Sequence, residues 1–147
     1  MRNLMVVLFL SLAACSSAPE AKQTKQVTAD VAGPATTTSK HPLAKYIEFA
    51  GFRISEAGPG KLKVKFIAVN HSEADLGELA VKLRMTTNVA KPDDPPVAEF
   101  EAKIPSLGPQ EIRDITATTN TKKRAYEIPD WQFIRVDFDI TSPAPER

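Results

Sequence analysis

The chain has one cysteine, two histidines and six glycines in 147 residues. The only cysteine, Cys15, lies at the far N-terminal end, and one histidine, His71, falls in the region patterned for folding. No Ser-His-Asp or Cys-His catalytic set can be assembled from that supply. Six glycines also leave no glycine-rich phosphate loop. The chain is therefore expected not to be an enzyme, and to need no cofactor or metal. A long apolar run is missing too. The stretch Leu4 to Leu12, broken only by Ser11, is about half the ~20 residues that span a bilayer, and nothing later is longer. The third absence is a surplus of positive charge. Of 19 Lys and Arg, only Arg2 lies in the first 14 residues, so 18 basic residues remain against 18 acidic ones. A nucleic-acid binder would show a basic excess, so no nucleic acid is expected as a partner. The rest of the composition, 42% apolar and 25% charged, is that of one ordinary globular unit.

The opening residues follow the grammar of an export signal. Arg2 supplies a positive start, Leu4 to Leu12 an apolar middle, and Ala13 and Ala14 the small residues before a cleavage point. Leu12-Ala13-Ala14-Cys15 resembles the lipobox of bacterial lipoproteins. The resemblance implies cleavage before Cys15, diacylglycerol on its sulfur and acylation of the new amine. A thiolate suits this chemistry because it is the nucleophile a hydroxyl is not. With each buried methylene worth about 0.8 kcal/mol, two or three acyl chains on Cys15 would hold the protein at a membrane. Ser16, in place of Asp, resembles lipoproteins sent on to the outer membrane. In a cell with two membranes the outer one is thus the expected destination, and the periplasm the expected compartment.

Four segments are expected: residues 1–14 as signal peptide, 15–44 as lipidated cysteine and flexible linker, 45–142 as a folded domain, and 143–147 as a disordered tail. The linker has no aromatic residue and is dominated by Ala, Thr, Ser, Lys and Pro, too little apolar surface to offset the entropy of ordering. As a coil of about 29 residues it would span roughly 30 Å. The competing possibility is that Val27 to Val31 dock onto the domain.

From Tyr46 onward the pattern has period two, which sends alternate side chains to opposite faces of a sheet. Leu62, Val64, Phe66 and Ala68 share one face, and Lys61, Lys63 and Lys65 the other. Leu79, Val81, Leu83 and Met85 repeat the alternation, as do Ala98, Phe100, Ala102 and Ile104, and then Ile134, Val136, Phe138 and Ile140. Ile47 and Phe49 are out of phase with Phe52 and Ile54, which predicts a β-bulge near Ala50-Gly51. A similar slip is expected between Ile112 and Ile115, and a helical turn within Ser72 to Glu78. Turn residues such as Gly58-Pro59-Gly60 and Asn120-Thr121-Lys122 separate the runs. The expected fold is all-β, an immunoglobulin-like antiparallel sandwich of about seven strands.

Asn70-His71-Ser72, the strand Leu79 to Leu83 and the segment Ile104-Pro105-Ser106-Leu107-Gly108-Pro109-Gln110-Glu111 resemble the FxLYD type of bacterial envelope domain. In that type an Asn-x-Ser turn links two core strands, and an Ile-x-x-Leu-x-Pro-x-Glu segment bridges to the next. The likeness covers roughly residues 61–119. It implies an immunoglobulin-like fold and no catalytic residue.

His71, Glu73, Asp75 and Glu78 bring one imidazole and three carboxylates into eight residues. They lack a second His or Cys and the spacing of a calcium loop, so a solvated polar loop is the expectation. His41, beside Pro42, has no evident partner in the sequence. Lys122, Lys123 and Arg124 form a basic run in an apparent hairpin loop; the expectation is a solvated loop, and the alternative is a surface for anionic headgroups or an acidic partner. Trp131, out of phase with the last strand, either caps the sandwich or anchors a partner. The expected function is that of a lipid-anchored, non-catalytic envelope lipoprotein, an interaction or structural module with an envelope protein as partner. The alternative is a lipoprotein that binds a small ligand or divalent cation through the Glu73–Glu78 loop.

Overall fold

The computed structural model describes residues 29–30 and 33–144, with the backbone alone for Ala29, Asp30, Ala125 and Trp131. Among the described residues seven strands run in chain order: β1 Ala29–Asp30, β2 Ile47–Gly58, β3 Lys61–Asn70, β4 Leu79–Thr87, β5 Ala98–Ile104, β6 Ile112–Asn120 and β7 Ile134–Ser142. They form two sheets, β1-β2-β3-β6 and β5-β4-β7, with every pairing antiparallel. The chain changes sheet after β3, after β5 and again after β6, the Greek-key habit of an immunoglobulin-like sandwich.

The period-two pattern accounts for the core. Leu62, Val64, Phe66 and Ala68 of β3 are buried, and so are the four apolar residues of each alternating set in β4, β5 and β7. At the centre, Phe49 meets Phe66 and Phe138 edge-on at 5.8 and 4.9 Å between ring centroids, while Phe52 stacks on Phe66 at 5.0 Å. These rings join the two sheets, and edge-on pairs contribute about 0.5–1.5 kcal/mol beyond simple burial.

Phase slips are resolved in two ways. The β2–β3 register shifts between Ala50 and Arg53, with Gly51 at φ +63°, so Phe49 and Phe52 both reach the core across a bulge. A side chain at Gly51 would meet only Ile67 at 3.9 Å, so glycine serves the left-handed backbone there and not the space. No slip occurs in β6, contrary to expectation. Its register with β3 is continuous from Ile112 opposite Val69 to Asn120 opposite Lys61. Ile112 therefore stays on the outer face, 64% exposed, while Ile115 turns in. Residues 72–78 form no helical turn either. The chain is extended enough for Leu76 to bridge Leu107 through two backbone hydrogen bonds of 2.8 Å.

The stretch expected to be linker supplies part of the fold. β1 pairs with β2 at Arg53 and Ile54, and the Ala35 amide donates to the Phe49 carbonyl at 2.7 Å. Thr36 then crosses to the other sheet, exchanging bonds of 2.8 and 2.9 Å with Val136 and Phe138 of β7. Pro42–Lys45 closes the segment as a 3-10 turn. His41 is buried at its start and has partners after all. Its Nδ1 accepts from the Leu43 amide at 3.2 Å, which leaves Nε2 to donate to the Pro143 carbonyl at 2.8 Å. An acceptor before a Pro at the first helical position is a readable start signal, and His fills that role here. This strap covers the outer edges of β2 and β7, so one flank of the sandwich is closed.

Candidate functional site

The two ends of the sandwich are built differently. At one end Asn70, wholly buried as the last residue of β3, holds two loops together. Its Nδ2 donates to the carbonyls of Ala74 and Gly108 at 2.8 Å each and lies 3.4 Å from that of Leu107. Its Oδ1 accepts from the amide and hydroxyl of Ser72 at 2.9 and 2.7 Å. A side-chain amide is suited to this place because it donates and accepts from one planar group. Glu111 completes the corner. Its carboxylate accepts from the Gly108 amide at 2.6 Å and pairs with Arg113. The Gly108 amide first, then the Arg113 guanidinium, hold the Glu111 carboxyl below the ordinary glutamate range against the opposing effect of partial burial.

The acidic loop of this end does not converge. His71 Nε2 lies 2.7 Å from Glu48, and Glu73 accepts from Gln110 at 3.2 Å. Among the described residues no group of three or more His, Cys, Asp or Glu side chains is placed to hold a metal ion.

The other end gathers the basic run. Lys61 stands opposite Asn120, and the Thr121 amide donates to the Gly60 carbonyl at 3.0 Å, so Lys122 to Arg124 lie against the β2–β3 turn. The loop that carries them joins β6 to β7 in the opposite sheet, so it is no hairpin. Beside it, Lys61, Lys63 and Lys65 form a row on the outer face of the first sheet, flanked on β6 by Asn120, Thr118 and Thr116. Among the described residues Lys61, Lys63, Lys65, Lys122, Lys123 and Arg124 make no side-chain ion pair. Glu56 and Glu127 border the loop, and Glu127 accepts from the Arg124 amide at 2.6 Å. The second sheet differs along its central strand, where the cations stand opposite acids. Lys82 stands between Glu101 and Asp139, and Arg84 between Glu99 and Asp137, with a Lys82–Glu99 bridge of 2.7 Å.

Among the described residues, three of the five exposed large apolar side chains lie at the basic end, while Tyr46 and Ile112 lie at the Asn70 end. Tyr126 is 75% exposed, Val89 81% and Phe133 43%, and the Asn88 amide donates to the Phe133 carbonyl at 2.7 Å. Trp131 begins a 3-10 turn, Trp131–Phe133, immediately before β7, and its side chain lies outside the described residues. Cys15 and the lipobox also lie outside them.

Among the described residues the flank opposite the strap is open. There β5 and β6 are the last strands of their sheets, and the Thr119 and Thr121 hydroxyls link the two sheets by donating to the carbonyls of Glu99 and Val97 at 3.3 and 3.4 Å. Sequence reading did not find this flank, because alternation tells which face a residue takes and not which strand is outermost.

No family model matches the chain. No curated protein matches it either. Among solved structures, the chain is similar to a DUF1425 family member from Shewanella sp. pv-4, determined at 1.81 Å, at 17% identity over 68% of this chain and 81% of that one, with a TM-score of 0.33.

Proposed function

We propose that this chain is a lipid-anchored, non-catalytic lipoprotein of the cell envelope whose sandwich, of the FxLYD kind, serves as a protein-interaction module. The anchor is Cys15, on the strength of Leu12-Ala13-Ala14-Cys15 and the export signal before it. The expected location is the outer membrane of a cell that has two.

The observation that carries the interaction reading is the difference between the flanks. The strap occupies the edges of β2 and β7, whereas among the described residues β6 has no strand beyond it. At its first residue β6 presents Ile112, with Val69 directly opposite on β3 and Ile67 one row further along. An edge strand with an exposed aliphatic residue suits strand addition by a partner, with main-chain bonds for affinity and side-chain pockets for selection. β5 is less suited, since Glu99, Glu101 and Lys103 alternate along it as charged guards.

Crosslinking in cells, followed by purification of the anchored protein, tests the reading. Recovery of defined envelope proteins should fall about tenfold or more with Ile112→Asp, the size of a lost interface anchor of roughly 1.4 kcal/mol or more. The same proteins captured equally by wild type and Ile112→Asp would remove β6 as the interface. Mass spectrometry of the mature protein checks the anchor separately, and an unmodified Cys15 would end that part of the reading.

A further inference from the structure

We propose that the corner formed by Lys61, Lys63, Lys122, Lys123 and Tyr126 is a second membrane contact, a surface that docks on anionic lipid headgroups. The inference rests on the reading of Cys15 as the anchor and adds an orientation to it.

Three independent observations meet at this corner. The first is the direction of the strap. Ala29 lies against Ile54 and Ala35 against Phe49, so the strap runs from the Gly58 end of β2 towards its Ile47 end. Ala29, the first described residue, therefore lies on the Gly58 half of β2, the half nearer Lys61 and the Lys122–Arg124 loop. The connection from Cys15 to Ala29 is about 14 residues, no more than roughly 50 Å at full stretch. An acylated Cys15 is thus tethered nearer along the chain path to the basic corner than to the Asn70 end.

The second observation is charge. The chain as a whole is balanced, yet the lysines of this corner make no ion pair among the described residues, while Lys82 of the second sheet does. Each Lys or Arg near an anionic surface contributes about 1 kcal/mol, or about fivefold in affinity. The third is amphipathic exposure. Tyr126, two residues past Arg124, leaves most of its ring in solvent, and Val89 and Phe133 are exposed at the same end. An exposed tyrosine presents an apolar ring and a polar hydroxyl, the pairing that settles at headgroup depth. Glu56 and Glu127 lie within the corner and reduce its field without cancelling it. An acidic protein would use the charge but gives no reason for the tether to lie nearer this end along the chain path, so the headgroup surface is favoured.

The test uses the mature chain with Cys15→Ser, which carries no acyl group, and vesicles of phosphatidylcholine alone or with about 30% phosphatidylglycerol. Co-sedimentation should require phosphatidylglycerol and should weaken as salt rises, because surface charges are screened. Lys63→Glu/Lys122→Glu/Lys123→Glu should weaken binding about a hundredfold or more, from roughly fivefold for each charge removed. A charge-matched control at other sites, Lys40→Glu/Lys45→Glu/Lys103→Glu, should bind within a few fold of the parent. Equal loss in both triples, binding that ignores phosphatidylglycerol, or no binding at all would overturn the proposal. So would capture of an acidic protein through Lys122 and Lys123 in the absence of vesicle binding. Because the assay contains no lipidated cysteine, its failure leaves the anchor reading intact, and an unmodified Cys15 in cells leaves the vesicle result intact.

Discussion

The two ends of this sandwich use polar residues for opposite purposes. At the Asn70 end the polar groups point inward and are satisfied by the protein itself: Asn70 bonds to three loop residues, Glu111 to Gly108 and Arg113, and His41 to Leu43 and Pro143. At the Lys122 end the charged side chains point outward, and the bonds that tie the loop down are made by Thr121, through its amide to Gly60 and its hydroxyl to Val97. Buried polar networks stabilise only when complete, whereas solvated charges contribute little to folding and are free to meet something else. One end is thus closed by its own bonds, and the other carries lysines that the described residues leave unpaired.

That contrast can be broken by mutation, and Asn70 should give the largest effect. Asn70→Ala leaves the carbonyls of Ala74 and Gly108 and the Ser72 amide without their partner at a buried site, at an expected cost of about 3 kcal/mol in urea or thermal unfolding. A loss below about 1 kcal/mol would mean that water replaces the side chain and that the end is not closed. Glu111 should give a smaller effect that depends on pH. Its folded carboxyl is held low, so its contribution is complete above the ordinary glutamate value of about 4.3 and is lost as pH falls through the lowered one. Wild type should therefore exceed Glu111→Gln in melting temperature at neutral pH, and the two should draw together in acid. A gap that stays constant down to pH 2 would contradict this. The smallest effect is expected from Lys122→Ala and Lys123→Ala, each within about 0.5 kcal/mol of wild type. A larger loss in either would show that the basic loop supports the fold.

Much of this architecture is legible from residue alternation. The sets Leu62 to Ala68, Leu79 to Met85, Ala98 to Ile104 and Ile134 to Ile140 are buried as patterned, and the misphasing at Ala50-Gly51 marks a real bulge. The same logic fails at Ile112, because an out-of-phase aliphatic residue can be bulged inward or simply left outside, and period alone does not separate the two. The Asn-x-Ser turn was readable only through its resemblance, since its bonds run from Asn70 to Gly108 across 38 positions. The strap was hidden for a further reason. Its contacts are backbone amides and carbonyls of Ala35 and Thr36, which any composition offers, so a stretch poor in apolar side chains still takes a fixed place along a waiting strand edge. The basic corner is half legible. Lys122-Lys123-Arg124 stands out in the sequence, but its juxtaposition with Lys61 and Lys63 depends on which strands pair.

The strap also decides how this domain would respond to a pull. Tension applied through its N-terminal end acts along the strand direction, so the pairing at Ile54 and Arg53, the Ala35 bond and the two Thr36 bonds are loaded in parallel and not one after another. Shear of that kind must break several hydrogen bonds in a single step, whereas peeling breaks them singly. A chain held at a moving membrane by its N-terminus would thus meet its greatest mechanical resistance where the strap crosses from one sheet to the other.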